Sequence, residues 1–153
     1  MEIDRSTPAL GALFQELILE HYKNPRNKGA LEGATASAHL NNPTCGDEIF
    51  LQLILEDDRI VDLRFTGQGC SISQASVSMM TQRLKGKTLE EAAAMTERFR
   101  EMLHGDKEAA RDRSLGDLRA LAGVSKFPVR VRCAMLGWDA LEQAVRDSAP
   151  AES

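Results

Sequence analysis

Three cysteines lie in polar, glycine-rich or charged stretches of this chain, where a thiol is most easily made reactive. Free cysteine usually behaves as a small apolar residue and is buried, whereas turn residues and nearby charges favour the thiolate, which binds metals and does sulfur chemistry. Asp47 adds a carboxylate two residues after the first cysteine, and three sulfurs with one oxygen make a ligand set that a tetrahedral zinc ion takes. The three stretches are Asn-Asn-Pro-Thr-Cys45-Gly-Asp, Thr-Gly-Gln-Gly-Cys70-Ser-Ile-Ser and Pro-Val-Arg-Val-Arg-Cys133.

The composition is that of a globular domain without an excess of basic charge. The chain has 153 residues, of which 42% are hydrophobic and 27% charged, and its net charge is -4. We therefore expect one domain with a sizeable core and no nucleic acid as the main partner. No apolar run approaches the roughly 20 residues that span a bilayer, and the acidic first residues lack a signal-peptide core. We expect a cytoplasmic protein without membrane association, in a compartment where disulfides are rare.

Residue periodicity predicts a helix followed by a small sheet. The helix begins at Thr7-Pro8, where threonine caps and proline occupies the first turn, and it ends near Asn24-Pro25. Alternating residues predict strands at about 37–40, 49–56 and 60–66, with Val61 on the same face as Leu63 and Phe65. Asp57-Asp58 forms the tight turn of an antiparallel hairpin.

The rest of the chain is predicted to be helical. Thr88 and Glu91 have the spacing of a capping box at the start of one helix, and Pro128 precedes the last. The charged stretch Asp106–Arg119 is most simply a solvated face. The predicted fold class is α+β, an antiparallel three-stranded sheet with helices packed on one face.

This arrangement can bring the cysteines together. A hairpin places the residue before its first strand and the residue after its second at one end of the sheet, so Cys45 and Cys70 can be neighbours. Cys70 and Cys133 fall at or near helix starts, where the partial positive charge favours a thiolate. The chain has no Cys-x-x-Cys pair and no zinc-finger spacing, so the residues alone leave two alternatives open: a metal or sulfur site, or three unrelated small core residues.

Four long motifs resemble the IscU-like family of iron–sulfur assembly proteins. The similarity extends from about Leu10 to Ala144, and it implies a single domain over residues 1–153. Two features resemble the SufU branch: Arg132 stands where IscU scaffolds have a histidine, and a segment at about 105–124 looks like the SufU insertion. We also expect a flexible tail at about 149–153. The motifs are Glu20–Gly29, Asn41–Asp47, Gly67–Ser76 and Arg130–Cys133.

The resemblance implies a zinc-dependent sulfur acceptor. Such a protein takes persulfide sulfur from a pyridoxal-phosphate-dependent cysteine desulfurase of the SufS type and relays it to a downstream iron–sulfur assembly scaffold. By motif, Cys45, Asp47, Cys70 and Cys133 would hold Zn²⁺, and Cys45 would accept the sulfur. Arg130, three residues before Cys133, either pairs with Asp47 or steers the persulfide, or is a solvated surface residue. The alternative is an IscU-like scaffold that assembles a [2Fe–2S] cluster on the same cysteines.

Several other residues have simpler interpretations. Arg132 is always protonated and cannot ligate a metal, so we expect it at the surface. The histidines are expected to be structural or exposed, and Trp138 to lie in the core or face a partner. The histidines are His21, His39 and His104.

Overall fold

The computed structural model describes residues 14–44 and 46–148. The predicted helix start at Thr7-Pro8, Cys45 and the 149–153 tail lie outside the described residues. The described part of the first helix, α1, covers 14–23, and it ends just before Asn24-Pro25 as predicted. The remaining elements, in chain order, are β1 Ala36–Asn42, β2 Asp47–Glu56, β3 Arg59–Gln68, α2 Ser71–Leu84, α3 Leu89–Leu103, α4 Lys107–Ala110, a 3-10 segment Arg113–Lys126 and α5 Pro128–Ser148.

The strands form one antiparallel sheet in the order β1-β2-β3. The predicted hairpin turn is confirmed, since Asp57 and Asp58 both have positive φ, 50° and 63°. This left-handed backbone matches the right-handed twist of the flanking strands. At the end of the sheet opposite this turn, Asp47 of β2 pairs with Asn42 of β1, and Glu48 of β2 pairs with Gln68 of β3. The beginning of β2 therefore lies beside the end of β3.

One prediction about the sheet is wrong: Val61 does not share the buried face of Leu63 and Phe65. A register shift between Ile54 and Leu55 adds one residue to the β3 side of the ladder. Such a bulge reverses the alternation of side chains on one side of it. Val61 is consequently exposed, and Ile60 takes the core position instead.

The helices pack on one face of the sheet, which confirms the predicted fold class. α5 contacts β1 and β2 directly and also packs against α2. Trp138 of α5 is fully buried and stacks on Phe99 of α3 with ring centroids 4.8 Å apart, so it is a core residue. The capping box of Thr88 and Glu91 is confirmed at the start of α3. None of the described helices is long and apolar enough to cross a bilayer.

The 105–124 segment is more than a solvated face, because it carries leucines that enter the core. Leu115, Leu118 and Leu121 are completely or almost completely buried. Two arginines attach the segment at its exposed side. Arg83 of α2 donates to the Ser114 carbonyl at 2.6 Å, and Arg98 of α3 pairs with Asp112 at 2.8 Å. Hydrogen bonds from Ser114 and then Arg98 lower the pKa of Asp112 to about 2.

A buried histidine joins α1, α2 and the 3-10 segment. His21 is 1% exposed, its Nδ1 lies 2.8 Å from the Ser78 hydroxyl, and its Nε2 lies 3.5 Å from Asp117. Ser78 accepts the Arg26 backbone N–H at 2.8 Å, so its hydroxyl proton is available for the imidazole Nδ1. A neutral ring protonated on Nε2 satisfies every partner. Burial, and secondly the charge of Arg26, lowers the pKa of His21 despite the opposing effect of Asp117.

This histidine should make the fold sensitive to acid. Because the pKa of His21 is lower in the folded chain, the unfolded chain binds a proton first as the pH falls. The contribution of His21 to the free energy of unfolding is therefore complete above about pH 6.5, the ordinary pKa of histidine, and it is lost as the pH falls through the pKa of the folded state. Urea unfolding between pH 7.5 and 5 should show a smaller loss of stability in His21→Gln than in the wild type. Identical pH profiles for the two proteins would contradict this assignment.

Candidate metal centre

Asp47 is the charged group around which the candidate site is built. It is the first residue of β2 and is completely buried. Its Oδ1 accepts the backbone N–H of Cys70 at 2.8 Å, and its Oδ2 lies 3.7 Å from the Cys70 Sγ. A buried carboxylate is costly unless it is hydrogen-bonded or coordinates a metal. The antiparallel register, which sets the start of β2 beside the end of β3, produces this contact.

Gly69 leaves the space that the Asp47 carboxylate occupies. A Cβ on Gly69 would lie 2.3 Å from Asp47 Oδ1 and 2.8 Å from its Cα, and the backbone has φ +144°. Gly67 has a similar role, because a Cβ there would lie 2.3 Å from the Glu48 carbonyl oxygen. The Gly-x-Gly spacing before Cys70 is therefore required for the close approach of this loop to β2.

Cys70 is held at the N-terminus of α2 by its backbone. It is the N-cap residue of the helix, with φ -72° and ψ 164°. Its carbonyl accepts the Gln74 N–H and the Ser73 hydroxyl, each at 3.2 Å, and its own N–H goes to Asp47. Cys70 is partly exposed, so a ligand can reach its thiol at the start of α2.

Cys133 reaches the site through the packing of α5 on α2. Its thiol is fully buried and lies 3.7 Å from the Val129 carbonyl oxygen. The Ser76 hydroxyl donates to the carbonyl of Ala134 at 2.7 Å and accepts from the Trp138 indole N–H at 3.2 Å. These bonds fix α5 at the level of Cys133. Cys133 is therefore presented from the second turn of α5.

The structure thus brings together three of the four predicted ligands. One ligand atom from each of Asp47, Cys70 and Cys133 lies within 4.8 Å of the other two. Zinc–sulfur and zinc–oxygen bonds are about 2.3 and 2.0–2.2 Å long, so a cluster of this size fits one ion after small side-chain movements. The soft, anionic donor set is also suitable for zinc. Cys45 lies outside the described residues.

The two arginines before Cys133 are exposed, and two of the histidines have polar partners elsewhere. Arg130 is exposed and lines the same groove as Cys70, one turn before Cys133 on α5. Arg132 is exposed, as expected. His21 binds Ser78, and His39 pairs with Glu48 at 2.6 Å on the exposed sheet face. Neither histidine belongs to the cluster of ligand atoms.

Sequence reasoning missed the apolar groove at Cys70. Its volume is about 790 Å³, and α1, the start of α2, the 3-10 segment and the start of α5 all contribute to it. Phe127, one of the lining residues, is 60% exposed, and Val129, two residues further along the chain, is 55% exposed. The sequence signal was the apolar pair on either side of Pro128, outside any helical periodicity.

The sequence and fold are similar to those of known iron–sulfur assembly proteins. The family model of the NifU-like N-terminal domain matches residues 13–134. A Bacillus subtilis protein named zinc-dependent sulfurtransferase SufU is 52% identical over 89% of this chain and 91% of its own. A Streptococcus pyogenes protein named iron–sulfur cluster assembly scaffold protein IscU is 45% identical over 94% of this chain and 89% of its own. The crystal structure of a NifU-like N-terminal protein from Brucella abortus superposes with a TM-score of 0.77 at 26% identity, covering 86% of this chain and 91% of that one.

Replacing Gly69 should damage the site. Gly69→Ala adds a Cβ that collides with Asp47 and strains a backbone at φ +144°, so we expect a loss of about 1–3 kcal/mol and weaker zinc retention. Gly123→Ala is the matched control, because its Cβ meets nothing within 4 Å. Urea unfolding and zinc competition with a chromophoric chelator measure both effects. Wild-type behaviour of Gly69→Ala would show that the loop does not position Asp47.

Proposed function

The chain belongs to the NifU-like N-terminal domain family of iron–sulfur cluster assembly proteins, and we propose that within it this protein is a zinc-dependent sulfur acceptor. It would take persulfide sulfur from a pyridoxal-phosphate-dependent cysteine desulfurase of the SufS type and pass it to a downstream assembly scaffold. The observation that carries the proposal is the buried Asp47 carboxylate beside Cys70 and Cys133. The relative named zinc-dependent sulfurtransferase, at 52% identity, supports it.

The residues that would hold zinc are Cys45, Asp47, Cys70 and Cys133. The donor atoms suit the ion, since two thiols and a buried carboxylate lie within 4.8 Å of one another. Zinc, when bound, keeps its thiol ligands deprotonated at neutral pH and adds no redox chemistry. Asp47 would remain in place throughout, because its other oxygen is already bonded to the backbone of Cys70.

Cys45 would be the sulfur acceptor. Its thiolate attacks the terminal sulfur of the donor persulfide, a new S–S bond forms on Cys45, and the old S–S bond breaks to release the donor cysteine thiolate. This is a relative of thiol–disulfide exchange that needs no external oxidant or reductant. Arg130 is exposed on the groove beside Cys70, where its guanidinium would orient the anionic persulfide.

The second candidate is a scaffold that assembles a [2Fe–2S] cluster on the same cysteines. The relative named as an assembly scaffold, 45% identical, favours it, because cysteine thiolates are the usual ligands of such clusters. The Asp47 carboxylate and the exposed, non-ligating Arg132 favour zinc instead. The metal content of the purified protein distinguishes the sulfur acceptor from the scaffold.

Freshly purified protein should contain about one zinc per chain. Cys70→Ala and Cys133→Ala should each lose zinc and melt at lower temperature, since a metal that binds only the folded chain contributes folding free energy. Each kcal/mol lost lowers the melting temperature by about 2–4 °C for a domain of this size. Elemental analysis and thermal scans measure both, and chelator-treated wild type is the control. Stoichiometric iron with negligible zinc would support the scaffold instead.

Sulfur should accumulate on Cys45 during desulfurase turnover. We expect Cys45→Ser to abolish sulfur uptake, because a hydroxyl is a far weaker nucleophile than a thiolate at neutral pH, while docking persists. The measurement is mass spectrometry of each cysteine after turnover of cysteine with limiting reductant. Added sulfur mainly on Cys70 or Cys133, with Cys45→Ser still active, would refute the assigned roles.

A further inference from the structure

The part of the chain that carries Cys45 is a short loop between two paired strand ends. Asn42 is the last residue of β1 and Asp47 is the first residue of β2, and the two residues pair across the sheet. Residues 43–46, which we call the acceptor loop, join them. Asp47 is buried and accepts the backbone N–H of Cys70, so one end of the acceptor loop is fixed at the candidate metal centre.

Asn42 holds the acceptor loop on both sides of Cys45. Its side-chain Oδ1 accepts the backbone N–H of Thr44 at 3.2 Å, and its carbonyl oxygen accepts the backbone N–H of Gly46 at 2.8 Å. Asn42 itself is only 8% exposed, and a buried polar side chain keeps a defined conformation because its polar atoms need hydrogen-bond partners. The residues immediately before and after Cys45 in the sequence are therefore both bonded to one buried residue.

Gly46 gives the acceptor loop a backbone conformation that most residues avoid. Its φ is +72°, in the left-handed region, and a Cβ there would meet no atom of the described residues within 4 Å. Because a side chain would have room, the backbone angle is the reason for glycine at this position. Asparagine also tolerates the left-handed region, and in this chain Asn27 adopts it with φ 57°.

We propose that Asn42 and Gly46 are positioning residues for sulfur transfer, which set the backbone from which Cys45 presents its thiolate. Neither residue supplies a metal ligand or a nucleophile, so both act through the acceptor loop. This inference rests on the proposed sulfur-acceptor function, and it adds the residues that orient the acceptor. A reacting group that is misplaced by about 1 Å can lose up to about a hundredfold in rate. A change in the acceptor loop should therefore slow sulfur transfer, while Asp47 and the other two cysteines keep the metal.

Four variants test the two residues, each with a change that restores the lost property. Asn42→Ala removes the Oδ1 acceptor, whereas Asn42→Ser keeps a hydroxyl that can accept the Thr44 N–H. Gly46→Ala strains the left-handed backbone, whereas Gly46→Asn tolerates it. The matched control is Gly33→Ala, because Gly33 has φ +79° and open space around its Cβ among the described residues. Gly33 precedes β1, at the other end of that strand from Asn42.

The measurement is the rate at which Cys45 gains sulfur from glutathione persulfide, followed by mass spectrometry of the zinc-loaded protein. The Cys45 thiolate takes the terminal sulfur, and glutathione leaves as its thiolate. Asn42→Ala and Gly46→Ala should each slow the uptake by about tenfold or more, and the two restoring variants should stay within about threefold of the wild type. Gly33→Ala should keep the wild-type rate, although urea unfolding should show a loss of stability similar to that of Gly46→Ala. Every variant should keep about one zinc per chain.

The outcomes distinguish loop positioning from the proposed function. If both alanine variants in the acceptor-loop pair gain sulfur at the wild-type rate, the positioning proposal is wrong and the sulfur-acceptor function stands. If Gly33→Ala is slowed as much as Gly46→Ala, or if the restoring variants are as slow as the alanine variants, a general loss of stability explains the effect and the positioning proposal is wrong. Loss of zinc from Asn42→Ala would likewise overturn it, because Asn42 would then support the metal centre. If the wild type gains no sulfur on Cys45, both proposals fall.

Discussion

The hydrogen bond from the Cys70 backbone to the buried Asp47 carboxylate is the constraint on which the rest of the site depends. It joins the start of β2 to the start of α2 over 2.8 Å. A carboxylate without solvent exposure must be satisfied by hydrogen bonds or a cation, and here one oxygen has the backbone while the other faces a thiol. The absence of a side chain at Gly69 makes the contact possible. A buried, hydrogen-bonded oxygen beside two thiols is better explained by a metal centre than by ordinary core packing.

The other elements of the fold bring Cys133, which is distant in the sequence, close to this carboxylate. α5 is fixed on α2 by Ser76 and the indole of Trp138, which places Cys133 at the cluster. The sheet, in turn, gives α5 an apolar surface on which to lie. On the solvent side, the site opens to a groove whose walls are connected through His21. Asp47 and Cys133 therefore lie on the packed side of the molecule, and Cys70 is partly exposed at the groove.

Much of this arrangement could be predicted from the sequence, because local signals agreed with the fold. The aspartate pair between β2 and β3 and the capping box at Thr88 each have one favoured geometry. The exposure of Val61 could not be predicted, since a bulge at Ile54 depends on pairing between strands. The burial of the leucines in the 3-10 segment was not predicted, because the charged residues around them favour an exposed surface. The groove was also missed, because it exists only where several elements meet.

The X-ray absorption spectrum at the zinc edge of the purified protein tests most directly which atoms hold the metal ion. We predict a four-coordinate ion with sulfur from Cys45, Cys70 and Cys133 and one oxygen from Asp47. In Asp47→Asn, the short oxygen shell should weaken or change while the sulfur shell remains. A spectrum without sulfur neighbours, or one that is identical in Asp47→Asn with full zinc retention, would contradict the role of the buried carboxylate.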